Sequence, residues 1–151
     1  MTRRVAMFGA AFIGWGVLVV TSAAVGGARQ TSDASQSSGA GWTVPAGAAA
    51  EKSPLTVSDA VLASGKKLFA GKCQRCHGAE GKGNGADADP KHQADMDLTA
   101  AARAARNPDG VVFYKIWNGR AKPKMPAQKN DLTKDQVWQI VSYAQTLRKK
   151  P

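Results

Sequence analysis

The reading of this chain turns on "CQRCHG", Cys73 to Gly78. These six residues hold both cysteines of the protein and one of its two histidines. Four uses of a C-x-x-C pair compete for them. A redox dithiol of the thioredoxin kind expects a strand before it and a helix after it. Here a helical signal precedes the pair and a glycine-rich stretch follows. A structural zinc site needs four ligands; Cys73, Cys76 and His77 give three in a cramped run, and His92 is the other histidine. A disulfide across two residues is strained and closes almost no loop, so it would stabilise little. The fourth use is covalent haem. In C-x-x-C-H the thiols add to the vinyl groups of the macrocycle and the adjacent imidazole ligates the iron. The residues favour this last use, with Cys73 and Cys76 as attachment points and His77 as an iron ligand.

Iron in such a site takes a sixth ligand, for which Met125, Met96 and His92 are the candidates. Met125 stands in "KPKMPA", 48 residues after His77, with Pro123 and Pro126 stiffening the backbone on either side. A thioether so held can stay at the iron in both redox states. Met96, 19 residues after His77, and His92 share a polar stretch, where a solvated side chain is the ordinary outcome. Met125 is the expected ligand.

Around these residues the chain has four helical signals and no alternating strand pattern, so the fold class is all-α. The first helix is expected from Ser58, as N-cap, to about Lys72, with Leu62, Gly65 and Phe69 on one face. The second covers Leu98 to Arg106, with Thr99 as cap candidate. The third has Asn107 as N-cap, Pro108 at its first position and Gly119 just past its end. The fourth opens on the capping box Thr133-Lys134-Asp135-Gln136 and turns Val137, Ile140, Val141, Ala144 and Leu147 inward. Two long irregular stretches interrupt the helices, "GAEGKGNGADADPKHQADMD" and "GRAKPKMPAQKND". Ordered loops of that length are usually functional. Gly81, Gly83 and Gly85 are expected to shape the turn after the cysteines, because a phosphate-binding loop would follow a strand. Asp87 and Asp89 lack the other ligands of a calcium loop.

The N-terminal residues 1–28 are of another kind. Arg3 and Arg4 precede an uncharged apolar run from Val5 to Val20, which fades into small residues. That pattern implies export, as a cleaved signal or an uncleaved membrane anchor. Residues 29–54 are rich in Ser, Gly and Ala and are expected to be a disordered linker, in which Trp42 alone makes no core. Residues 55–151 form the domain.

Residues 56–150 resemble a class I, monohaem cytochrome c. The family's small residue and aromatic before the haem motif match Gly65 and Phe69. Its apolar and aromatic residues on the last helix match Ile140 and Tyr143, and its methionine loop matches Lys122 to Pro126. The resemblance implies a small fold with crossed N- and C-terminal helices around one covalent haem c. It also implies single-electron carriage without catalysis, and leaves Trp117 and Arg120 as candidates for bonding a haem propionate. Met/His ligation in an apolar pocket raises the potential. A haem enzyme, or a domain reactive to gas or peroxide through an exchangeable sixth ligand, is the competing class. A permanent subunit of a larger oxidoreductase is a third reading.

The charge narrows the partners. The chain carries a net charge of +10, which suits nucleic acid, an anionic membrane surface or an acidic protein. No run alternates Lys or Arg with aromatics, so nucleic acid is not expected. From residue 55 onward, 17 Lys and Arg face 9 Asp and Glu. Lys72, Arg75, Lys122, Lys124 and Lys129 are placed to steer docking onto an acidic face of a redox partner, such as a dehydrogenase or terminal oxidase. The expected location is the periplasm or the periplasmic face of the inner membrane.

Overall fold

The computed structural model describes residues 36–37 and 41–148. The expected export segment and most of residues 29–40 lie outside them. Six α-helices are present among the described residues: α1 Asp59–Lys72, α2 Gln74–His77, α3 Gln93–Met96, α4 Ala101–Ala104, α5 Asp109–Asn118 and α6 Lys134–Thr146. A two-residue antiparallel pairing, β1 Gln36–Ser37 with β2 Thr43–Val44, is the one strand pair there. None of these helices is long and apolar enough to cross a membrane.

The crossing of α1 with α6 frames the domain. Ser58 caps α1 by accepting from the Val61 amide. Both halves of the expected capping box close α6, Thr133 accepting from the Gln136 amide and Gln136 from the Thr133 amide. At the crossing, a β-carbon on Gly65 would collide with the Gln139 carbonyl oxygen and crowd the Tyr143 Cβ. The absent side chain is what lets the two backbones meet. Phe69 and Tyr143 lie edge to face, 5.4 Å between ring centres. The core beneath gathers Phe69, Phe113, Ile116, Leu132, Val137, Trp138, Ile140 and Val141. Gly65→Ala is therefore expected to cost about 1–3 kcal/mol, the usual penalty of overpacking. Thermal unfolding followed by circular dichroism would detect this, since about 1 kcal/mol moves the midpoint of a domain this size by some 4–8 °C.

Three local expectations are corrected. The second helix is only the single turn α4, and Thr99 does not cap it. The Thr99 amide and hydroxyl both donate to the Asp97 carboxylate instead. Asn107 does not cap α5, whose N-cap is Pro108. Its side chain serves the interior: Oδ1 accepts from the buried Lys115 ammonium at 2.5 Å and Nδ2 donates to the Arg103 carbonyl. A buried cation without a partner is costly, and that demand outweighs the cap.

The third correction concerns residues 41–54. Instead of a disordered linker, they form a strap over α5. Trp42 and Val44 are 6% and 2% exposed and pack with Ala48 and Val111 as a second small core. A 3-10 helix, Ala46–Ala50, follows. Gly110 receives it: a β-carbon there would strike the Ala48 and Glu51 carbonyls. The domain thus begins well before residue 55.

Candidate functional site

The cysteine segment continues α1 almost without a break. The Cys73 amide bonds the Phe69 carbonyl and so ends α1, and the His77 amide bonds the Cys73 carbonyl to make α2. The glycine-rich loop then folds back over the end of α2. The amides of Gly83, Gly85 and Asp87 donate to the carbonyls of His77, Cys76 and Arg75, at 2.8, 3.2 and 2.7 Å. These bonds satisfy acceptors that a helix end leaves open. Gly81, Gly83 and Gly85 therefore shape the turn after the cysteines, as expected of them.

A cavity of about 640 Å³ opens beside this segment. Cys73, Cys76, His77 and Met125 all line it, as do Met96 and His92. Its apolar wall includes Phe69, Leu98, Ile116 and Ile140, drawn from four parts of the chain.

His77 is held in one tautomer. Its Nδ1 lies 2.7 Å from the Met96 carbonyl oxygen, which can only accept, so Nδ1 carries the proton. Nε2 keeps its lone pair. Burial lowers the His77 pKa, partly offset by that bond, so the ring is neutral at neutral pH. A neutral imidazole with its second nitrogen fixed by a carbonyl is the form that ligates metal. The Met96 carbonyl sits at Nδ1, so the Met96 backbone lies on the side of the ring away from Nε2.

The Cys73 thiol is poorly placed to act as a thiolate. Cys73 and Cys76 are not joined to each other. Burial, reinforced by the charge of Cys76 and opposed by Lys72, pushes the Cys73 thiol up to about 12. A dithiol that attacks disulfides needs the opposite shift. Among the described residues no cluster of His, Cys, Asp and Glu could hold a metal ion as a group. The shift of Cys73 does not favour the thioredoxin use.

Met125 is positioned by its own loop. Its amide donates to the Arg120 carbonyl at 2.9 Å, and the Arg120 amide returns a bond to the Met125 carbonyl at 2.8 Å. Arg120 Nε donates to the Pro123 carbonyl. The Gln128 amide then ties the loop to the Ile116 carbonyl in α5.

The rest of the lining is basic at several points. Arg103, Lys115, Arg120 and Arg148 all reach it. Burial, then the charges of Arg103, Arg120 and Arg106, push the Lys115 ammonium down to about 8. Arg103, Arg120 and Arg148 are likewise lowered by burial. Gln128 adds a buried Oε1 that has no hydrogen-bond partner among the described residues. A large apolar cavity with crowded cations fits a flat macrocycle bearing two carboxylates; the Gln128 oxygen, an acceptor, has no part in holding them. Trp117 packs against the core, stacked on Phe113; Arg120 lines the cavity.

Sequence reasoning missed Trp42, which also lines the cavity. Its ring centre lies 5.2 Å from Lys115 Nζ and 4.8 Å from Arg120 Cζ. One signal was available, a Trp followed at two residues by Val in an otherwise small-residue stretch. Of the five surface cations named above, two are matched by acids. Lys72 pairs with Asp131 at 2.9 Å and Arg75 with Asp87 at 2.7 Å. Comparison with known families matches residues 62–148 to the family described as Cytochrome c.

Proposed function

We propose that this chain, which belongs to the cytochrome c family, carries single electrons between redox proteins outside the cytoplasm, with His77 and Met125 as axial ligands of its haem. Membership of the family makes it a haem-binding electron-transfer protein whose haem c is attached covalently. Cys73 and Cys76 are proposed to form the two thioethers. When bound, the haem supplies a one-electron couple. The residues of the chain attach it, exclude water from it and fill its axial positions.

One observation carries the ligand assignment. His77 and Met125 line the same cavity, and the Met96 carbonyl occupies Nδ1 of His77. The imidazole thus has only Nε2 to offer the iron, and the Met96 backbone is fixed on the Nδ1 side of the ring, although Met96 also lines the cavity. Met125, in a loop closed by its pairing with Arg120, is favoured over Met96. With His77 and Met125 both holding the iron, reaction would be outer-sphere, at the haem edge.

Lys122, Lys124 and Lys129 are the cations proposed to steer docking, since Lys72 and Arg75 already face carboxylates. Steering by exposed charge is a rate effect that salt screens. The test is a redox titration joined to stopped-flow kinetics. One electron per haem is expected, with an absorption band at the red edge of the visible in the ferric protein, the mark of a sulfur–iron bond. Reduction by an acidic partner should slow as salt rises. Lys129→Glu, outside the cavity lining, should weaken that dependence and leave the sulfur–iron band in place. A band absent from the ferric protein would sink the Met125 assignment. Export is proposed from residues 1–28 alone; a holoprotein recovered from the cytoplasm would contradict it.

A further inference from the structure

We infer that Trp42 is a positioning residue for the haem site: the strap of residues 41–51 clamps Arg120, and through Arg120 restrains the loop that carries Met125. The inference rests on the Met125 ligation proposed above. The strap lies before residue 62, where the family match begins.

The clamp is read from contacts on both sides of Arg120. Inward, its backbone pairs twice with Met125 and its Nε holds the Pro123 carbonyl at 2.8 Å. These bonds close the turn that presents the thioether. Outward, its guanidinium lies 4.8 Å from the centre of the Trp42 ring, and Lys115 Nζ lies 5.2 Å from the same centre. A cation over an indole face is attracted by the ring quadrupole, and more strongly when water is excluded. Trp42 is buried, so that condition holds. Met125 itself packs against the cluster of Trp42, Val44, Ala48 and Val111.

Much of the strap's hold is on α5 rather than on the cavity wall. Val44 and Ala48 are buried against Val111, and the 3-10 turn rests on Gly110. Trp42 is thus carried to Arg120 by a segment whose own hold is on α5. Loosening the segment frees the outer face of Arg120. The Met125 turn then opens more often, because local opening follows the contacts that must break.

The experiment uses the full-length holoprotein. Trp42→Ala is expected to let the ferric protein bind added cyanide about tenfold faster, a change equivalent to about 1.4 kcal/mol. The sulfur–iron band should be lost at a lower pH, and the Arg120 and Met125 amides should exchange hydrogen faster. Trp42→Phe, which keeps a ring, should stay near the wild type. Gly110→Ala touches no cavity residue but crowds the strap off α5, and should reproduce the Trp42→Ala result. It also decides the matter if Trp42→Ala does not accumulate. Unchanged cyanide binding in both Trp42→Ala and Gly110→Ala would overturn the inference while leaving the ligand assignment intact. A wild type without the sulfur–iron band would overturn the ligand assignment, and the inference with it. Trp42→Phe as open as Trp42→Ala would also overturn it.

Discussion

Met125→Ala is expected to give a protein that is still red but no longer fully ligated. The haem remains attached, because Cys73, Cys76 and His77 are untouched. The iron becomes partly high-spin, or takes water or a neighbouring lysine such as Lys122 or Lys124. Its potential falls, since thioether favours the ferrous state. A drop of about a tenth of a volt or more is expected, a modest share of the ~0.8 V that axial ligation spans. Carbon monoxide should bind the reduced variant and not the wild type. Met96→Ala is the control. That position serves His77 through its backbone carbonyl, which alanine keeps, so its spectrum should match the wild type. A shift in Met96→Ala with none in Met125→Ala would reverse the assignment.

Cys73→Ala combined with Cys76→Ala has the largest expected effect on stability. Without thioethers, acid–acetone should extract the haem, whereas in the wild type it should survive both extraction and denaturation. The cavity of about 640 Å³ shows why folding should suffer. At ~24 cal/mol per Å³ of unfilled volume, an empty cavity of this size would cost at most about 15 kcal/mol. That is a ceiling, because water enters an open cavity. The ceiling matches the top of the ~5–15 kcal/mol that keeps a domain folded, so even a fraction of it would matter. Loss of near-ultraviolet dichroism in the double variant would agree; native dichroism without haem would show that the protein core suffices.

The parts of the fold legible in the sequence were those fixed by neighbours in the chain. The caps at Ser58 and Thr133 rest on side chains three residues from their partners, and both formed. The cysteine segment is local too, and its residues line one cavity. What was misread depends on distant partners. Asn107 has the chemistry of a cap, but the ammonium of Lys115, eight residues on, claimed it. The strap has no regular period: its buried residues, Trp42, Val44 and Ala48, follow spacings of two and four. Its burial depends on Val111 and Gly110, more than sixty residues away, and no window of sequence contains both sides of that contact. The tautomer of His77 was hidden for the same reason, because a backbone carbonyl carries no sequence signal.

The crossing of α1 with α6 also imposes a timetable. Gly65 lies before the cysteines, but the helix it meets begins only at Lys134. His77 and Lys134 are 57 positions apart (134 minus 77). Until that whole span is available, Gly65 has no helix to receive, and the site beside Cys73 and His77 lacks its α6 wall. Under the export proposed above, the pairing of α1 with α6 would be completed outside the cytoplasm, where attachment would take place, and it would be the step that seals the site.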